Sequence, residues 1–180
     1  MADRLIALLR GINVGGNKPV NMGRLRDLLS DLGYTDVRTY LQSGNAVFTS
    51  TVKPRKSGDD IEDAIAREFD IECRVIVRTA NQLTAVIAAD PLLDQLGNPS
   101  RHFVAFLDGS PRPDGVKLLT RDDYGTDQLR IVDEHVYLWC PDGISKSAFA
   151  KLNFDRILGA AVTIRNWNTV TKLAELAGSR

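Results

Sequence analysis

Arg4-Leu5-Ile6-Ala7-Leu8-Leu9-Arg10-Gly11, set beside Arg101-His102-Phe103-Val104-Ala105-Phe106-Leu107-Asp108-Gly109, decides how this chain is organised. Each segment is apolar without alternation, too short for a helix, and suited to a central strand covered on both faces. Ala7 corresponds to Ala105 and Gly11 to Gly109, both 98 positions apart. A second pair of segments, Val77-Arg78-Thr79-Ala80-Asn81 and Ile164-Arg165-Asn166-Trp167-Asn168, matches at an offset of 87. An internal duplication is the economical explanation of both offsets.

The residues between these anchors fit the same pattern twice. Residues 20–32 place Met22, Leu25, Leu28, Leu29 and Leu32 on one face, an amphipathic helix ended by Gly33. Strands at 36–41 and 45–50 join through Gln42-Ser43-Gly44, a hairpin signal. After a polar loop at 52–58, a helix is expected over 59–69, with acidic residues in its first turn. A strand at 74–78 follows, and then a short helix capped by Asn81. The second copy reads as a strand at 103–107, a helix around 115–119 and strands at 128–132 and 135–140. It closes with a helix from Ser145 or Ser147 to Leu158, a strand at 162–165 and a helix at 168–177. The fold class is therefore α+β: two tandem ferredoxin-like βαββαβ(α) repeats, 1–90 and 101–180, joined by a loop at 91–100 and packed into one compact body.

Composition narrows the function classes. The chain has 180 residues, 43% of them hydrophobic, enough to bury a core unaided. Lys+Arg and Asp+Glu both total 23, so no global field draws in nucleic acid or an acidic membrane. Cys73 and Cys140 lie in apolar strand-like runs, where a small buried hydrophobe is expected and no oxidising compartment is implied. No stretch could span a bilayer and no signal peptide is evident, which places the protein in the cytoplasm. His102 and His135 form no motif with the cysteines, so neither a metal site nor a cofactor is expected.

Topology brings polar turns together. In a split βαβ unit the first two strands run parallel, so the glycine-rich loop after Arg10 and the hairpin share one end of the sheet. That gathers Arg10, Asn13, Lys18, Gln42, Ser43 and Asn45 into a first corner. The backbone of Gly11, Gly15 and Gly16 can turn N–H groups toward an anion; the bland alternative is that three glycines merely turn a loop. The loop is no Walker A sequence, since Asn17 and Lys18 stand where Lys and Ser/Thr are required, and no dinucleotide fingerprint can be read there. In the second copy the turn at 141–147 and the segment Arg165-Asn166-Trp167-Asn168 emerge together. Ser147, Arg165, Asn166, Trp167 and Asn168 form a second corner, read either as two helix N-termini with an aromatic wall or as a structural joint.

Three stretches carry a resemblance: residues 7–18, residues 37–45, and Arg165-Asn166-Trp167-Asn168-Thr169-Val170-Thr171-Lys172-Leu173. The chain resembles the domain of unknown function 1697 family over nearly its whole length. The resemblance implies a bacterial-type cytoplasmic protein with a duplicated α+β fold. The family's Ser-Lys-Leu segment is met here only by Ser145-Lys146, at a shifted place.

The leading expectation is a protein that holds a small phosphate- or carboxylate-bearing ligand at one of these corners. Its rivals are a nucleic-acid-binding sheet, which needs exposed Tyr40, Phe48, Tyr137 and Trp139, and a scaffold without a small-molecule site. Neither a reaction nor an oligomeric state can be read from the chain.

Overall fold

The structure, a computed structural model, describes residues 2–95 and 97–178. The chain runs β1 (Asp3–Leu9), α1 (Met22–Asp31), β2 (Thr35–Tyr40), β3 (Asn45–Ser50), α2 (Pro54–Phe69), β4 (Val75–Thr79) and α3 (Ala80–Ala88). It continues as β5 (His102–Leu107), α4 (Pro113–Arg121), β6 (Gln128–Val132), β7 (His135–Trp139), α5 (Phe154–Leu158), β8 (Val162–Asn166) and α6 (Trp167–Gly178). The strands form two antiparallel four-stranded sheets ordered β2-β3-β1-β4 and β6-β7-β5-β8. This is the ferredoxin-like order, given twice, and the two alanines of the duplicated motif sit at matching places. Ala7 lies between Ala46 and Val77, Ala105 between Val136 and Ile164.

Two units divide the chain. One comprises residues up to Thr84 and from Lys172 onward; the other is Ala85–Thr171, so the division passes through α3 and α6. In the first unit, Leu5, Ala7 and Leu9 of β1 meet Phe48, Val75, Val77, Leu25, Leu29, Ile61 and Ile65 in one core. Ile6 and Leu8, pointing the other way, are also fully buried, as their unbroken apolar run requires. In the second unit Ala105, Leu107, Val136 and Leu138 pack with Leu119, Phe149, Phe154 and Leu158. On the opposite face Tyr137 donates its hydroxyl hydrogen bond to the Val86 carbonyl of α3 at 2.7 Å. A Cβ on Gly115 would overlap the Ile157 carbonyl, so a residue without a side chain is what lets α4 lie against α5.

Four local expectations are corrected. Helix α2 starts at Pro54, within the stretch expected to be a loop, because proline at the first helical position has its φ preset and lacks only an N–H that would be unpaired anyway. Its first turn consequently holds no acidic residue. Helix α3 is capped by Thr79, not Asn81: Gln82 N–H donates to Thr79 Oγ1 at 3.1 Å and Thr79 N–H to Gln82 Oε1 at 2.9 Å, a reciprocal box. The long helix expected from Ser145 or Ser147 is absent. Ile144–Lys146 and Ala148–Lys151 are single 3₁₀ turns, and only Phe154–Leu158 is α-helical, capped by Asn153. Finally, α6 begins at Trp167 rather than at Asn168, with Asn166 as its cap, accepting from Thr169 N–H at 3.0 Å.

Candidate functional site

At the end of the first sheet, β1 and β2 both run antiparallel to β3, so the chain leaves both at the same edge. Three glycines suggest a slack loop; the structure shows a pinned one. Asn13 adopts φ +54°, a left-handed conformation that asparagine tolerates better than most side chains. Its Oδ1 accepts from Val20 N–H at 2.8 Å, while Nδ2 donates to Val20 O at 3.0 Å and to Gln42 O at 2.8 Å. The first two bonds close the loop on itself; the third ties it to the hairpin. Backbone bonds from Asn13 N to Lys18 O (3.0 Å) and from Asn17 N to Val14 O (2.9 Å) make 13–18 a small hairpin of its own. Ile12 and Val20 are buried beneath it, while Gly15 and Gly16, both left-handed, are exposed.

The facing hairpin is held the same way. Asn45 is fully buried and its Nδ2 donates to Tyr40 O at 2.8 Å and to Ser43 Oγ at 3.1 Å. Leu9 N–H donates to Gly44 O at 2.8 Å. Asn13 thus ties the glycine-rich loop to the hairpin, while Asn45 braces the hairpin from within. Arg10, Gln42 and Ser43 are exposed at the surface these ties create. Lys18, also exposed, sends Nζ to the Glu72 carbonyl, beside a surface cavity of about 490 Å³ that Glu62, Asp63 and Arg74 also line. Val14 and Leu41, 63% and 53% exposed, add apolar surface to the same two loops.

The second corner is built differently. Ser147 is buried and donates to Ile144 O at 2.8 Å, so it stabilises a 3₁₀ turn and caps no α-helix. Arg165, also buried, donates from Nη1 to Thr163 Oγ1 at 2.8 Å and to Ile164 O at 3.0 Å. Trp167 is buried edge-on against His102, ring centres 4.8 Å apart. Asn168 is exposed and donates from Nδ2 to Ser100 Oγ at 3.2 Å. Burial pushes the nearby Cys140 thiol up to about 11, partly countered by Ser147, so it stays a thiol at neutral pH.

No sequence signal marks one further pair. Nε2 of His102 lies 3.0 Å from Oδ2 of Asp90, both side chains fully buried, but out of line for a hydrogen bond. The second carboxylate oxygen accepts from Leu92 N–H at 2.9 Å. Burial lowers the His102 pKa and the Asp90 charge only partly restores it, so the imidazole is neutral in the folded protein. A folded-state pKa below the unfolded 6.5 means the unfolded chain binds more protons at acid pH. Stability is therefore complete above pH 6.5 and falls as pH drops from there toward the folded-state value. Urea unfolding between pH 8 and pH 5 should show that fall, flatter in His102→Gln; an identical slope in the variant would contradict it.

Phe48 and Tyr137, two of the four aromatics needed for base stacking, are buried, which removes them from any nucleic-acid surface. Among the described residues no group of three His, Cys, Asp or Glu is placed to hold a metal ion, and no helix is long and apolar enough to cross a membrane.

The fold and the tied corner define a duplicated α+β protein made of two ferredoxin-like sheets. The model of the family described as "Protein of unknown function (DUF1697)" matches residues 2–137, and the chain belongs to that family. A solved structure, that of the conserved bacterial protein SP0830 from Streptococcus pneumoniae, superposes with a TM-score of 0.80 over 98% of this chain and 99% of that one, at 24% identity. That likeness concerns the fold. Among curated proteins none matches.

Proposed function

We propose that this protein binds a small phosphate- or carboxylate-bearing ligand at the end of its first sheet, in the cytoplasm. Arg10 supplies charge, Gln42 and Ser43 supply polar side chains, and Gly15 and Gly16 supply backbone that an anion can approach without meeting a side chain. Asn13 and Asn45 position these groups, and Lys18 borders them on the Glu72 side. The single observation carrying the reading is the 2.8 Å bond from Asn13 Nδ2 to Gln42 O, which fixes a glycine-rich turn against a polar hairpin before any ligand arrives. Val14 and Leu41 would face an apolar part of the same ligand. The second corner supports the reading less, because Ser147, Arg165, Asn166 and Trp167 are turned to internal partners and Asn168 alone among its residues is exposed. The buried cysteines, both free, accord with a cytoplasmic protein.

Titration of the ¹⁵N-labelled protein with inorganic phosphate tests this. Saturable shifts of the Gly11, Gly15, Gly16 and Ser43 amides are expected, weakened about tenfold in Arg10→Gln, the scale of one charge-assisted contact. Unmoved amides in a folded protein would defeat the proposal. A protein partner is the second reading, favoured by the exposure of Val14 and Leu41, and it predicts that negative result.

A further inference from the structure

We infer a second anion site at the opposite end of the first sheet, in a cavity of about 610 Å³ lined by Arg4, Asp36, Arg38, Thr49, Ala80 and Asn81 among others. Arg4 lies near the start of β1 and Arg10 just past its end, six residues on, so the two sites are separated by about 20 Å of extended chain and answer to different side chains.

Register puts both guanidiniums on one face. Arg4 pairs with Thr49 across β1 and β3, and Arg38 pairs with Val47 across β2 and β3. Thr49 and Val47 are two apart on β3 and share a face, the one turned away from Leu5, Ala7 and Phe48 of the core. Arg4 is anchored through Nη1 alone, which donates to the Asp36 carbonyl at 3.0 Å and to Thr49 Oγ1 at 3.1 Å. Both acceptors are uncharged, and among the described residues neither Arg4 nor Arg38 forms an ion pair; the Asp36 carboxylate, which accepts from Thr49 Oγ1 at 3.5 Å, acts on Arg4 at longer range. Burial lowers the Arg4 pKa, the Asp36 carboxylate raises it, and the Arg38 charge lowers it again. Two cations share this cavity with one exposed carboxylate, an arrangement that an anion between them would relieve.

The third wall adds to this. Ala80 and Asn81 are the first residues of α3, where the helix dipole is positive. The Thr79–Gln82 box occupies the N–H groups on either side of them, and both residues line the cavity. The volume exceeds what a bare phosphate fills and suits a small metabolite carrying a phosphoryl or carboxylate group. Arginine forks bind both chemistries, so the experiment must separate them.

The full-length ¹⁵N-labelled protein would be titrated separately with inorganic pyrophosphate and with citrate. Saturable shifts at Thr49, Ala80 and Asn81 with either probe are expected, and the probe that binds more tightly identifies the chemistry. Arg38→Gln, at an exposed position that should leave folding intact, should weaken that binding about tenfold, whereas Arg10→Gln should leave it unchanged. Arg4→Gln should weaken it at least as much. The inference is overturned if neither probe moves these amides, or if the shifts persist undiminished in Arg38→Gln. It is also overturned if shifts appear only at Gly15 and Gly16, which would support the other corner alone.

Discussion

Gly44→Ala is expected to destabilise the protein by about 2–5 kcal/mol, more than any other single methyl added to these loops. Two independent costs add. Gly44 sits at φ +84°, where an L side chain costs about 1–2 kcal/mol. The new Cβ would also stand 2.7 Å from Ile12 Cδ1 and 2.8 Å from Leu9 Cβ, well inside contact distance. Ile12 and Leu9 are both buried and cannot swing away, and overpacking of that kind costs about 1–3 kcal/mol. Relief by shifting the hairpin would strain the bond from Leu9 N–H to Gly44 O. Gly15→Ala is the control: its φ is +57°, but nothing lies within 4 Å of the added carbon, so only the backbone cost remains. Urea denaturation of both variants decides the matter. Equal losses, within about 0.5 kcal/mol, would mean that Gly44 is not packed as described.

Asn13→Ala should cost about 2.5–5.5 kcal/mol. Three side-chain bonds to backbone groups disappear, at about 0.5–1.5 kcal/mol each, and an alanine is left at φ +54°. Asn13→Gly separates the two causes, because it loses the same bonds and relieves the backbone. It should be more stable than Asn13→Ala by about 1 kcal/mol yet clearly weaker than the native protein. The loop consequence is separate from the global one. Without the Gln42 tie, hydrogen exchange at 14–18 should quicken in Asn13→Gly even where the sheet amides stay protected. Native-like exchange there would show that the tie does not order the loop.

The architecture was legible because it rests on long-range repetition and on apolar runs that permit one kind of strand. Leu5 to Leu9 and Phe103 to Leu107 admit no half-exposed reading, and both lie in inner strands of their sheets. Helix edges were less legible, since they depend on choices among neighbouring caps. Thr79 outcompetes Asn81 because Gln82 can return its bond, and Pro54 starts α2 early because nothing opposes it. The segment after Gly143 departs furthest from its local pattern, as a run of serine, lysine and alanine fits a helix locally while Phe149 and Phe154 must both reach the core. The first corner was anticipated as a gathering of residues. What the sequence could not disclose is that Asn13 spends its amide on tying two loops together and Asn45 on bracing the hairpin, a matter of which acceptor lies within 3 Å. The Asp90–His102 contact and the arginine-lined cavity arise from register and burial, and neither leaves a mark in spacing.

The proposed anion-binding corner joins a pinned glycine-rich turn to a polar hairpin. Anomalous diffraction from crystals soaked in selenate, a phosphate-shaped anion with a locatable heavy atom, tests it most directly. A peak is expected whose oxygens lie about 3 Å from the Gly15, Gly16 or Ser43 amide nitrogens, next to the Arg10 guanidinium. Ordered loops with no peak there, in crystals where that corner faces solvent, would contradict it.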